Sequence, residues 1–223
     1  PAIDLFQGLP RAVLETVAAV ARVRHLPKHL RIFSQGDEGA RAHAVIKGGV
    51  RIAQSGSDGA QVLIRFVGPG EMFGTMALFT DGRYPADATT MAETLEASWS
   101  EAELVELMTR FPQIAINVIR IIGKRLQEVQ DRVRELATQR AEQRVAHAVL
   151  RLARQAGHST VDGTAIKFLL RRRDVADISG TTLHTASRIL TAWEKAGLLV
   201  TNNRYLTICQ PAALLRIAED GTG

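Results

Sequence analysis

The side chains best equipped for chemistry lie between Arg171 and Arg188. Arg188 can donate two hydrogen bonds to guanine O6 and N7, worth about 1–3 kcal/mol of discrimination against another base. Ser187 can serve either a base or a phosphate, while Leu183 has no hydrogen-bonding group and suits only a thymine methyl. Upstream, Arg171, Arg172 and Arg173 run without interruption. With the backbone N–H groups at a helix start, such residues suit phosphate oxygens. The plainer alternatives are a solvated charge run for the triplet and a surface salt bridge for Arg188.

For these groups to converge, two helices must cross at a short turn. Ala176 is small, Gly180 follows four positions later, and Ala186, Ile189, Leu190 and Trp193 form an inward face. Thr181 or Thr182 is the N-cap of the second helix, and Gly197 closes it. Leu198-Leu199-Val200 and Tyr205-Leu206-Thr207-Ile208 bracket Asn202-Asn203, a hairpin that makes the wing of a winged helix-turn-helix. A further helix runs from about Arg140 through Arg154 and ends at Gly157. Residues 139–223 therefore read as one module. In it Thr181, Thr182, Leu183, His184, Ser187 and Arg188 are placed for base edges, with Arg172 and Arg173 at the phosphates.

The charge distribution agrees. Of 28 Lys+Arg and 23 Asp+Glu, residues 1–139 carry 16 of each, so the whole net charge of +5 sits in residues 140–223, with 12 against 7. That asymmetry suggests a basic module with a polyanionic partner. Aromatics, at 5%, are too few for the stacking platforms that hold single strands. With 46% hydrophobic and 23% charged residues, the 223-residue chain can bury a core as one large domain or two small ones. No segment approaches a membrane span and no leader is evident, so the expectation is a cytoplasmic protein without membrane partners. The chain begins at Pro1 without methionine, which leaves room for a native leader upstream.

Ahead of the basic module lies a long helix, residues 111–138, opened by a first-turn Pro112. Ala115, Ile119, Ile122, Leu126, Val129, Val133 and Leu136 step 4, 3, 4, 3, 4, 3, flanked by Lys124, Arg125, Glu128, Arg132 and Glu135. So regular a heptad seam predicts an identical partner helix, hence a homodimer. A single amphipathic helix buried in its own domain is the alternative. Ile114, Val118 and Ile121 form a second apolar face in the first half only, suited to packing on the preceding domain.

Residues 1–110 read as short strands after a helix over Ala12–Ala21. Ala42–Ile46 and Val50–Ala53 flank Lys47-Gly48-Gly49 and are expected to form a hairpin. A second turn at Ser55–Gly59 precedes Gln61–Val67, and Ala88–Met91 and Leu95–Trp99 follow. Strands spaced this way predict an antiparallel β-barrel or sandwich. The fold class is α+β: N-terminal antiparallel β-barrel, long dimerisation helix, C-terminal winged helix-turn-helix.

This order, with Phe66-Val67-Gly68-Pro69-Gly70-Glu71-Met72-Phe73-Gly74, Met76-Ala77-Leu78-Phe79 and Ser187-Arg188-Ile189-Leu190, resembles the cyclic-AMP receptor protein and fumarate–nitrate regulator superfamily of bacterial transcription regulators. The resemblance spans nearly the whole chain. It implies a homodimer on double-stranded DNA at an inverted repeat, a barrel that binds or senses a signal, and RNA polymerase as a partner. Well-known members carry glutamate, a reader of C·G, where this chain has His184, so the half-site should differ there. Thr181–Thr185 with Ser187-Arg188 looks similar to regulators of nitrite and nitric oxide reductase genes, which implies a nitrogen-oxide signal.

Members that bind cyclic nucleotides do so with Gly-Glu and, about ten residues on, Arg-Ser. The aligned effector-pocket positions here are Gly74-Thr75 and Pro85-Ala86. Proline brings neither cation nor N–H donor and Ala86 no hydroxyl, so cyclic AMP is not expected. Arg83, two residues earlier, is the one nearby cation that could substitute. A single cysteine, Cys209, argues against an iron–sulfur cluster and a zinc site. Haem remains open through His25, His29, His43, His147, His158 or His184. No metal ligands are assigned, and no catalytic constellation points to an enzyme. The alternative function is a signal-binding module that docks on protein.

Overall fold

The computed structural model describes residues 3–39, 41–56, 61–166, 168–203 and 205–219. It divides into two units, Pro1–Gln61 with Phe66–Val129, and Val62–Arg65 with Gln130–Gly223.

Ahead of residue 101, α1 (Arg11–Ala19) precedes eight strands: β1 (Arg22–Leu26), β2 (Arg31–Phe33), β3 (Arg41–Lys47), β4 (Val50–Ser55), β5 (Gln61–Val67), β6 (Met72–Phe73), β7 (Asp87–Thr90) and β8 (Thr94–Ser100), all in the first unit except the middle of β5. The one-turn helix α2 (Thr75–Leu78) follows β6, and α3 (Glu101–Arg110) follows β8. Two four-stranded sheets result, in the orders β1-β8-β3-β6 and β2-β7-β4-β5. They form a sandwich, one of the two arrangements that the strand spacing predicts, with the sheets not closed into a barrel. The hairpin expected across Lys47-Gly48-Gly49 is corrected, because β3 and β4 lie in different sheets. Gly48, at φ +92°, turns the chain from one sheet to the other, where a Cβ would collide with Glu93 O and the Thr94 backbone. Residues 57–60 of the second expected turn lie outside the described residues.

Alternation along β3 and β8 explains the layering. On one face Ala42, Ala44, Ala97 and Trp99 meet Leu104, Leu107 and Ile114 from the helices. Small alanines let that helix layer approach closely, and Trp99 Nε1 donates to Val17 O at 3.1 Å. On the other face, Val45 joins Phe33, Val50, Val67, Phe73 and Tyr84 between the sheets. α3 starts at a capping box, with Ser100 N donating to Glu103 Oε2 and Glu103 N to Ser100 Oγ.

α4 (Pro112–Thr138) runs across the division between the units. Its first half packs on the sandwich as the second apolar face predicts: Ile114 is buried, and Val118 and Ile121 lie against the same core. Asn117 Nδ2 donates to Leu5 O and Gln7 O at 3.0 Å. Arg125 Nη2 donates to Met72 O at 2.9 Å.

The second unit contains α5 (Ala141–Ala156), β9 (Gly157–Thr160), β10 (Gly163–Ile166), α6 (Arg172–Ser179), α7 (Leu183–Lys195), β11 (Leu199–Asn202), β12 (Tyr205–Ile208) and α8 (Pro211–Glu219). α5 packs against α6, α7 and α8, burying Val145, Val149 and Leu152. Trp193 is buried and gives its indole N–H to Glu142 Oε1 at 3.1 Å. The wing hairpin β11–β12 is present and continues through β10 to β9 in one sheet, a second hairpin not anticipated from sequence. Among the described residues no helix is long and apolar enough to cross a membrane.

Candidate nucleic-acid interface

α6 ends at Gly180, whose φ of +62° is the left-handed turn that starts a new direction. Thr182 is the N-cap of α7: its Oγ1 accepts from Thr185 N at 3.1 Å. This exposed, capped start presents Thr182, Leu183 and His184 to solvent, with Leu183 47% exposed. Ala186, Ile189, Leu190 and Trp193 are buried on the opposite side. One turn further, Ser187 is half-buried and Arg188 exposed, and these two line an open face of about 450 Å³ with His184, Thr191, Ala192 and Lys195. Thr181 is half-buried, and its N–H closes the turn on Ala176 O at 3.0 Å.

The arginine triplet divides into three roles. Arg171 folds back on buried Asp174, its Nη2 at 2.9 Å and its backbone N–H at 2.9 Å, and that pairing raises its pKa. Arg172 turns inward: Nη1 donates to Ser187 O and Thr191 Oγ1, and Nη2 to Glu194 Oε2 at 2.8 Å. Arg173 stays outward, 61% exposed, with Asp177 at 3.5 Å. The sequence reading placed Arg172 at a phosphate; here its guanidinium is engaged by α7 and 34% of its side chain stays exposed.

Two arginines to which the sequence reading gave no part in the helix-turn-helix hold the C-terminal carbonyls of α6. Arg132 Nη2 donates to Asp177 O at 3.0 Å, and Arg144 donates to Ser179 O at 3.0 Å and Gly180 O at 3.2 Å. These carbonyls carry the negative end of the helix dipole, so cations suit them. Beside them, buried Glu135 accepts from Arg151 Nη1 at 2.7 and 2.8 Å. Arg132 and Glu135 flank the heptad seam, and both are built into this unit instead of being free in solvent.

The seam itself is uncovered. Ile119 is 69% exposed, Leu126 56%, Val129 59% and Val133 61%, and Ile122 and Leu136 are also exposed. Ala115, at the start, is half-buried.

In the sandwich, Gly74 and Thr75 are half-buried, Pro85 is exposed and Ala86 buried. Arg83 is exposed and paired with Glu38 at 2.6 Å on the surface. Of these positions only Arg83 carries a cation, and its surface pair with Glu38 is weak, both side chains being more than half exposed. Gly74, at φ +72°, abuts the ring of His43, the carbonyl of Arg41 and the ring of Tyr84. Beneath it the His43 ring is fixed at both nitrogens, Nδ1 to Glu96 Oε1 at 2.5 Å and Nε2 to the Tyr84 hydroxyl at 3.0 Å. Phe33 stacks on Tyr84 at 3.6 Å and Phe73 on His43 at 4.9 Å. Glu96 is fully buried and also takes Arg24 Nη2 at 2.8 Å. Burial lowers the His43 pKa more than Glu96 raises it. Burial also raises Glu96, but the His43 hydrogen bond and the charges of His43 and Arg24 outweigh it and hold the carboxyl low. Iron ligation by His43 would break one of its two hydrogen bonds, so this histidine does not suit haem as it stands. Among the described residues no group of three or more His, Cys, Asp or Glu side chains could hold a metal ion.

A two-sheet sandwich, a long helix with an uncovered apolar seam and a winged helix-turn-helix together define a DNA-binding transcription regulator. Residues 23–111 match the cyclic nucleotide-binding domain and residues 143–217 the Crp-like helix-turn-helix domain. The chain is 29% identical to the cyclic AMP receptor protein of Thermus thermophilus over 214 residues, 96% of each chain. It is 23% identical to the fumarate and nitrate reduction regulatory protein of Escherichia coli, covering 89% of this chain and 79% of that one. The structure of FixK2 from Bradyrhizobium japonicum shares the fold with a TM-score of 0.76 at 23% identity, over 89% of this chain and 97% of that one. The chain thus carries a cyclic nucleotide-binding domain followed by a Crp-like helix-turn-helix domain, and over most of its length it is similar to cyclic AMP receptor and fumarate and nitrate reduction regulatory proteins.

Proposed function

We propose that the chain acts in the cytoplasm as a homodimer that binds an inverted-repeat DNA site and couples a signal at the sandwich to that binding. The observation that carries this reading is the uncovered seam of α4 from Ile119 to Leu136. A monomeric helix gains nothing from a heptad of exposed apolar side chains, whereas a twin helix buries them. Two-fold pairing then sets two copies of α7 on half-sites about one helical turn apart. His184, Ser187 and Arg188 read bases, with Thr182 and Leu183 at the leading edge. Arg173 and the N–H groups at the start of α6 meet phosphate.

The signal in this reading is not cyclic AMP, since Pro85 and Ala86 supply neither a charge nor a hydroxyl. A nitrogen oxide is the signal the recognition-helix sequence favours. Bound to promoter DNA, the dimer presents a surface to RNA polymerase.

Selection of bound sequences from random duplex DNA, with and without nitric oxide, tests all of this at once. The expected result is a palindrome whose affinity falls steeply with salt. Arg188→Ala should weaken the selected complex by about 1–3 kcal/mol and relax one base position. Equal loss on random duplex would remove Arg188 from base reading. Salt-insensitive capture of a protein, with no palindrome enriched, would replace this reading by protein docking.

A further inference from the structure

We infer that Arg172 is a positioning residue for the recognition helix α7 and not a phosphate ligand. The inference rests on the DNA-binding reading above and names what aims its reading face. Arg172 is the first residue of α6, yet its guanidinium lies along α7 and grips it at Ser187 O, Thr191 Oγ1 and Glu194 Oε2. Those acceptors are spaced four and three residues apart, so one planar group spans two turns of a single helix face. Both protons of Nη1 are committed, and Nη2 is paired with a carboxylate at 2.8 Å. A phosphate approaching this guanidinium meets Glu194 beside it, so the pair offers little net attraction to an anion.

The grip lands on the reading face. The carbonyl taken by Nη1 belongs to Ser187, and Arg188 is the next residue. A bidentate contact with a base tolerates only small errors in distance and direction, so the rotation of α7 about its axis decides whether Arg188 meets its base. Arg172 and Glu194 fix that rotation from opposite sides of the α6–α7 contact.

Two substitutions separate the roles by sign. In the full-length protein, anisotropy is measured with the selected duplex and with random duplex over a range of salt. For a positioning residue, Arg172→Gln and Glu194→Gln each weaken the selected complex by about tenfold or more, the scale of one charged hydrogen bond. Random-duplex affinity and the salt slope of Arg172→Gln stay unchanged. For a phosphate ligand, Arg172→Gln weakens both duplexes equally and lowers the salt slope by about 1, while Glu194→Gln tightens binding by freeing the arginine. Either of those results overturns the inference. If Arg172→Gln fails to fold by circular dichroism, the sign of Glu194→Gln decides alone. A wild-type protein that binds no duplex overturns the DNA-binding reading itself, a result distinct from either.

Discussion

Leu136, the last residue of the apolar seam on α4, lies against the α-carbon of Gly180 in the turn between α6 and α7. A Cβ at Gly180 would overlap Leu136 Cδ2, and the backbone there is left-handed at φ +62°. The end of the seam and the turn that launches the recognition helix are therefore one contact. Arg132 and Arg144 hold the surrounding carbonyls, so the turn is pinned by packing and by charge together.

Gly180→Ala should destabilise the chain through both causes. The left-handed backbone costs an alanine about 1–2 kcal/mol, and because the Leu136 methyl it meets ends a flexible side chain that is 46% exposed, turning that side chain aside adds only about 0.5 kcal/mol. Leu136→Ala in the same chain should remove the second part alone. Urea titration of the single and double variants measures the coupling. Additive effects would show that the two residues do not press on each other.

Leu126→Asp should leave single chains. Each seam side chain fully buried against a twin contributes about 1.5–3 kcal/mol, and a carboxylate in mid-seam both removes one such contribution and repels its symmetry mate. Sedimentation equilibrium should show dimers for wild type and monomers for the variant. The preference for an inverted repeat over a single half-site should disappear with the dimer.

Acid should weaken the sandwich in two stages. The folded pKa of His43 is lowered from 6.5, by burial first, with Glu96 opposing and Arg24 and Arg41 adding. The unfolded chain therefore binds the extra proton between 6.5 and that lower value, and stability falls as pH drops through this window. Glu96, held below 4.5 by its partners despite burial, adds a second loss at lower pH with the same sign. Chemical denaturation at several pH values should show both. His43→Gln should be less stable at pH 7.5 and lack the upper stage.

Glu135→Gln should cost about 2–3 kcal/mol, less than the removal of one partner from a fully buried pair, because the Arg151 side chain retains 23% exposure. Glu135→Leu with Arg151→Met should recover most of the loss, since an apolar pair needs no compensating charge. Thermal melts of the three variants give the comparison.

What could be read in advance followed locality. Thr182, Gly180 and Gly197 obey short-range rules of caps and turns, so the helix-turn-helix was legible residue by residue. The seam was legible because a heptad is a property of one helix. The partnering of β3 was not. Gly48-Gly49 between two apolar strands looks like a hairpin turn whichever sheet each strand joins, and β3 finds β8 about fifty residues downstream. Three adjacent arginines likewise carry no mark of which one turns inward. The available signal lay in Thr191 and Glu194, two polar side chains three residues apart on α7, whereas the third acceptor is the backbone carbonyl of Ser187, which any residue would supply. Arg132 and Arg144 were hidden for the same reason, because their acceptors are backbone carbonyls that any residue would supply.

The chain has two tryptophans, and the fold assigns one to each unit: Trp99 under α1 in the sandwich, Trp193 beside Glu142 in the DNA-binding unit. Both indoles are buried and hydrogen-bonded, so each emission spectrum reports the hydration of a single compartment. Replacing either with phenylalanine leaves an optical probe of the other, which lets the melting of the two units be followed separately in the intact polypeptide.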